Sequence, residues 1–346
     1  MVEIFSLFLI VQFGGFLVAY FSIPPSYLTV ITAAQQVSGS QGALFAAYVI
    51  FLIIIFSIVL LFVMKMYKGA FLFKAFEAYA IGLPSAFLFY LLVADFFPYL
   101  DTIYIAGTAI ILAASLVIAK NRWPNLRNLA VVISGIGIGV VIGIDGFTIA
   151  YVLMALLAVY DYIAVFVTKH MQVMAKAMAE RNLAFLIGSS DVEMIPQTYL
   201  SQKERSEIKA NIRKTGVKNP AIKRMIAKGA LPQVSQVALG AGDLALPLML
   251  TVGAYISFAN TFIPTMAILG AAAGLLITMQ ILSKYKVPLP AIPPLFASMN
   301  LFLGIALLLA GSISIIGSLS FIALFFVIMW LLLITLRRNS NATATA

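Results

Sequence analysis

Asp161 and Asp243 are the residues of this chain best placed for chemistry, because each interrupts a long apolar run. An ionisable group inside a bilayer is costly enough to call for a functional explanation. Asp161 stands in Val159-Tyr160-Asp161-Tyr162, and Asp243 closes Gly240-Ala241-Gly242-Asp243. Glycines just before an acid let a neighbouring helix or a substrate backbone come close, at the cost of a weakened helix. Pro247, four residues on, weakens the same segment again. Two carboxyls in close contact hold one proton between them. One can then take a proton from water while the other hydrogen-bonds a carbonyl. Which of the two carries the proton is a property of the pair. Tyr160, beside the first acid, could hydrogen-bond water or substrate, with plain packing as its alternative role.

The other charged groups near the apolar runs have simpler accounts. Asp95, Asp101 and Asp145 fall at span boundaries or in turns. Glu77 follows Lys74 by three residues, a spacing that predicts an ion pair on one helix face. His170, the single histidine, sits at a boundary and leaves no multi-histidine metal site. With no cysteine, disulfides, thiolate metal sites and cysteine nucleophiles are excluded together. The aspartate chemistry needs no metal and no organic cofactor, and none is expected.

The elements that must position the two acids are membrane spans. Of 346 residues, 63% are hydrophobic and only 10% charged, whereas a soluble domain carries about a quarter charged residues. Ten apolar segments of spanning length can be read, at 4–23, 43–64, 70–95, 102–119, 129–144, 147–168, 234–257, 261–282, 289–310 and 314–335. Lysine and arginine fall in every second connection, which predicts an N-terminus and a 169–233 loop on the cytoplasmic side. The net charge of +10 thus marks membrane sidedness, and no nucleic-acid partner is expected. The 169–233 loop holds 12 of the 22 basic residues and 5 of the 12 acidic ones. It reads as a solvated linker near anionic lipid. Its apolar stretch 183–188 could rest on the membrane part and shape a site. Helical rise puts Asp161 roughly 12 Å, and Asp243 roughly 16 Å, from the same membrane face, in helices of opposite direction. The expected division is 1–168 with the first acid, 169–233 as the basic loop, 234–310 with the second acid, 311–338 as an extra span, and 339–346 as a polar tail.

The sixth-span Tyr-Asp and the seventh-span GxGD resemble the two signatures of presenilins and signal peptide peptidases. A third family mark is a Pro-Ala-Leu motif opening the ninth span. Here Pro290-Ala291-Ile292 stands at that place, with isoleucine for leucine. Span order, the loop between the acids and an inside N-terminus also agree, over nearly all of residues 1–310. The resemblance implies an all-α, polytopic transmembrane helical bundle of nine presenilin-like spans, here with a tenth, and a stand-alone prokaryotic homologue. It implies catalytic roles for Asp161 and Asp243, with Tyr160, Gly240, Gly242, Pro290, Ala291 and Ile292 binding substrate or shaping the site. The implied partner is a transmembrane helix of a protein substrate within the lipid bilayer; homo-oligomerisation is left open. Proline-rich backbone around 288–293 cannot complete helical hydrogen bonds, so its free groups are candidates to dock an unwound substrate as an added strand.

A secondary transporter or cation channel is the alternative from another class, since intramembrane acids and broken helices also build cation sites. Ion flux abolished by changing either aspartate would mark it. A prepilin-processing peptidase shares the GxGD motif but commonly places its acids outside the membrane. Serine chemistry lacks both a GxSG motif and a base at the right depth.

Overall fold

The computed structural model of the chain describes residues 2–23, 71–123, 126–168, 186–196, 230–285 and 289–344, with isolated helical positions between 44 and 66. Most of the second expected span, 43–64, and most of the 169–233 loop, with His170, lie outside the described residues. In chain order the helices are α1 (Val2–Ser22), α2 (Phe71–Phe96), α3 (Thr102–Arg122), α4 (Leu126–Gly143) and α5 (Phe147–Tyr162), which continues into one π turn (Ile163–Val167). Two strands follow, β1 (Leu186–Pro196) and β2 (Ala230–Gly240), then α6 (Ala241–Phe258), α7 (Phe262–Tyr285), α8 (Ile292–Leu309) and α9 (Ile315–Ala344). Among the described residues nine helices are long and apolar enough to cross a membrane. A helix pairs most of its backbone groups within itself, as lipid requires.

The bundle is assembled around α6, which packs on α1, α4, α5, α7 and α8. Small residues make this possible, because helices in lipid associate by close packing and not by escape from water. Gly139 and Gly143 of α4 face Leu248 and Val252 of α6 so closely that an added Cβ would lie 2.7 Å and 2.6 Å from those side chains. Gly137, on another face of α4, meets the Pro84 carbonyl oxygen of α2, 2.1 Å from where a Cβ would stand. Gly270 and Gly274 of α7 do the same against the backbone of α8. At the outer rim, α3 and α9 bury the least of their surface.

Two differences from the sequence reading matter. The apolar run at 234–240 forms the end of β2, which pairs with β1 in a two-stranded sheet, so the helix begins at Ala241 and not near 234. A short apolar run does not distinguish strand from helix by periodicity. Here Gly240, in extended geometry (φ −68°, ψ 148°), ends the strand and caps the helix. Glu77, in turn, pairs with Lys120 of α3 at 2.5 Å, both buried, and not with Lys74. Lys74 lies exposed while Glu77 turns inward, and a carboxylate excluded from water takes the partner that shares its burial. Lys120, expected in a cytoplasmic connection, thus belongs to the α2–α3 interface.

Candidate active site

The first acid sits where α5 changes its winding. Asp161 is buried, near the C-terminus of α5, and the π turn follows directly, closed by the Thr168 N–H on the Ile163 carbonyl. Single π turns inside helices recur at functional sites because they rotate one stretch of side chains against the next. Asp161 Oδ2 accepts the backbone N–H of Ile292 at 3.2 Å. The Pro-Ala-Ile run therefore supplies a donor to the acid, at the point where Ala291 caps α8 and Pro293 opens its first turn. Pro290 and Ile292 are buried. For the strand-docking idea this means that the Ile292 N–H is already engaged.

The second acid lies in the first turn of α6, not deep within a helix. Asp243 is half-buried, and its Oδ2 accepts the Gly240 N–H at 3.1 Å. A carboxylate at that position also complements the positive end of the helix dipole. Gly240 has a steric role beyond its flexibility, since a Cβ there would stand 3.1 Å from Asp243 Oδ2. Gly242 is exposed and a Cβ on it would meet nothing within 4 Å. The end of α5 and the start of α6 bring the two carboxyls within electrostatic reach of each other. The depth counted for Asp243 along a helix from 234 does not hold, because the helix begins at Ala241. Tyr160 is half-buried beside Asp161.

Two polar neighbours of the site, and one buried polar pair further along α5 and α8, were not foreseen. Gln12 of α1 is wholly buried and its Nε2 donates to the Leu244 carbonyl at 2.9 Å, on the residue after Asp243. Its Oε1 has no hydrogen-bond partner among the described residues. A glutamine in mid-span was the available signal, overlooked when only ionisable groups were weighed. Tyr162 bonds Thr335 of α9 at 2.5 Å. Asn300 of α8, also fully buried, accepts the Tyr151 hydroxyl at 2.6 Å and donates to the Phe296 carbonyl. Among the described residues no group of three or more His, Cys, Asp or Glu side chains is gathered as a metal site.

Comparison with known proteins agrees with this arrangement. The family described as signal-peptide peptidase, presenilin aspartyl protease matches residues 5–311. Two solved structures of a presenilin family intramembrane aspartate protease share the fold. The one in space group C222 has a TM-score of 0.54 and 18% identity, covering 88% of this chain and 98% of that one. The one in space group P2 has a TM-score of 0.50 and 20% identity, covering 86% and 97%. Among curated proteins none matches significantly.

Proposed function

The chain belongs to the signal-peptide peptidase and presenilin aspartyl proteases, and we propose that Asp161 and Asp243 are its catalytic pair, activating water to cut peptide bonds within transmembrane segments. It is an integral membrane protein and an intramembrane aspartic endopeptidase. The assignment of the pair is supported by where the two carboxyls stand, at the end of α5 and the start of α6, two helices in contact, each carboxyl accepting a backbone N–H.

In this mechanism the pair shares one proton. The ionised member draws a proton from water as the water adds to the scissile carbonyl, and the protonated member donates to the carbonyl oxygen. The roles reverse as the amine leaves with its proton. The Ile292 and Gly240 N–H groups limit the rotation of the carboxyls before substrate arrives, which reduces the reorganisation needed in the transition state. A substrate helix must unwind to offer its carbonyl, and unwound backbone is tolerated at this depth only against protein or water. The open face of Gly242 and the proline-interrupted stretch 290–293 are the parts of the site suited to receive it. Tyr160 is positioned in sequence to hydrogen-bond water or substrate. The N-terminus and the 169–233 loop face the cytoplasm in this reading, with the chain divided at 168, 233, 310 and 338.

The test is cleavage of a single-span reporter by the purified chain in liposomes, beside Asp161→Ala, Asp243→Ala and a transition-state-mimicking aspartyl inhibitor. Loss in both variants and in the presence of the inhibitor supports the pair; cleavage that survives either substitution rejects it. Vesicles assayed in parallel for ion flux separate the transport alternative.

A further inference from the structure

The family match ends at residue 311, and α9 begins beyond it at Ile315. A span added to a complete bundle could simply lie in lipid, and most of α9 does: Phe326, Val327, Trp330, Leu331 and Leu333 are exposed. One stripe of it is different. Near its start, Ser318 Oγ donates to the Gly304 carbonyl of α8 at 2.9 Å, and Phe321 meets the Tyr151 ring of α5 at a tilt of 58°. Near its end, Leu332 and Leu336 are buried in a cluster with Ile281 of α7, joined by Phe166 from the π turn and by Leu289. Between these two leucines' positions on the helix, Thr335 meets the Tyr162 hydroxyl.

The direction of that bond follows from its surroundings. The single hydroxyl proton of Thr335 is used on the Leu331 carbonyl at 2.9 Å, so Tyr162 donates and Thr335 accepts. Tyr162 is the residue after Asp161, and its ring packs edge-on against Phe166 at 5.2 Å. Leu289 immediately precedes Pro290-Ala291-Ile292, in which the Ile292 N–H donates to the Asp161 carboxyl. The added span therefore touches both supports of one acid: the stretch of α5 that carries it and the link that hydrogen-bonds it.

We propose that α9 is a positioning element for catalysis, and that Thr335 acts by accepting the Tyr162 hydroxyl, which fixes the end of α5 where Asp161 stands. This rests on the assignment of Asp161 to the catalytic pair. Loss of the acceptor of the Tyr162 hydroxyl frees the ring and the turn behind it.

The full-length chain is assayed on a single-span reporter, with active sites counted by titration against a transition-state-mimicking inhibitor. Thr335→Val and Tyr162→Phe are each expected to lower kcat per titrated site by about tenfold with KM unchanged, as slight misplacement of a reacting group does. Thr335→Ser keeps the acceptor and retains the parent kcat. The double variant falls no further than either single one, because both remove the same bond. Inhibitor affinity weakens in parallel with kcat, giving a readout that does not need turnover. The proposal is overturned by unchanged kcat and affinity in Thr335→Val, by multiplied losses in the double variant, or by a lowered melting temperature alone. Cleavage by Asp161→Ala would reject the assignment of the pair itself, independently of how the Thr335 variants behave.

Discussion

The substitution Gln12→Leu sets two buried polar effects against each other. The side chain is wholly enclosed between α1 and α6, where one end of its amide bonds the Leu244 carbonyl and the other end bonds nothing described. Leucine is of similar size, so little cavity or overpacking cost is expected. Losing an interhelical hydrogen bond in a membrane protein costs about 0.6 kcal/mol on average and at most about 1.7. The Leu244 carbonyl keeps a second potential donor, the N–H one helical turn on at Leu248. Removing a buried acceptor that lacks a partner returns about 1–3 kcal/mol. The balance favours the variant, which should unfold at the parent midpoint or about 1 kcal/mol above it in thermal or denaturant titration in detergent. Activity should move the other way. Gln12 holds the peptide next to Asp243, so kcat per active site should drop about threefold to tenfold, equivalent to roughly 1 kcal/mol of lost positioning. A variant destabilised by more than about 2 kcal/mol would show the amide to be a net support and refute the reasoning from its orphaned oxygen. Unchanged kcat would refute the link to Asp243.

Other consequences can be checked in the same preparations. Gly240→Ala should cut kcat with little change in melting temperature, because its Cβ presses on Asp243 Oδ2. Gly242→Ala has open space in the free enzyme, so its effect should appear as a raised KM on a helical substrate; unchanged KM would mean that no substrate approaches this face. Lys120→Met should destabilise the chain by removing the ion-pair partner of the buried Glu77, and adding Glu77→Leu should recover part of the loss, as read by unfolding midpoints. Gly137→Ala, which drives a methyl into the Pro84 carbonyl, should cost at least about 1–3 kcal/mol and lower the melting temperature.

How much of this was legible in the chain depends on what each feature required. The two acids were visible as ionisable residues within apolar runs, and the order of the runs places them on helices of opposite direction. The spans followed from apolar run lengths, and the kind of bundle from the resemblance carried by the three motifs. The start of α6 did not: Val234 to Leu239 is apolar enough for either a span or a strand, and only pairing with β1 decides. The partner of Glu77 was misassigned because sequence spacing points to a neighbour on the same helix, whereas the pairing with Lys120 depends on how α2 meets α3. Gln12 was visible as a residue but not as a contact, since its target lies 232 positions away. For α9 the sequence shows a helix apolar on every side, a pattern that cannot reveal which stripe docks.

The length of α9 has a practical use. Thr335 stands beside Tyr162, and the helix continues for nine further residues to Ala344, which at 1.5 Å per residue carries the backbone roughly 14 Å past the level of the acids. A spectroscopic label attached there would ride on a stalk of known rise above the mouth of the site, giving a fixed origin from which the approach of a labelled substrate can be measured as a distance.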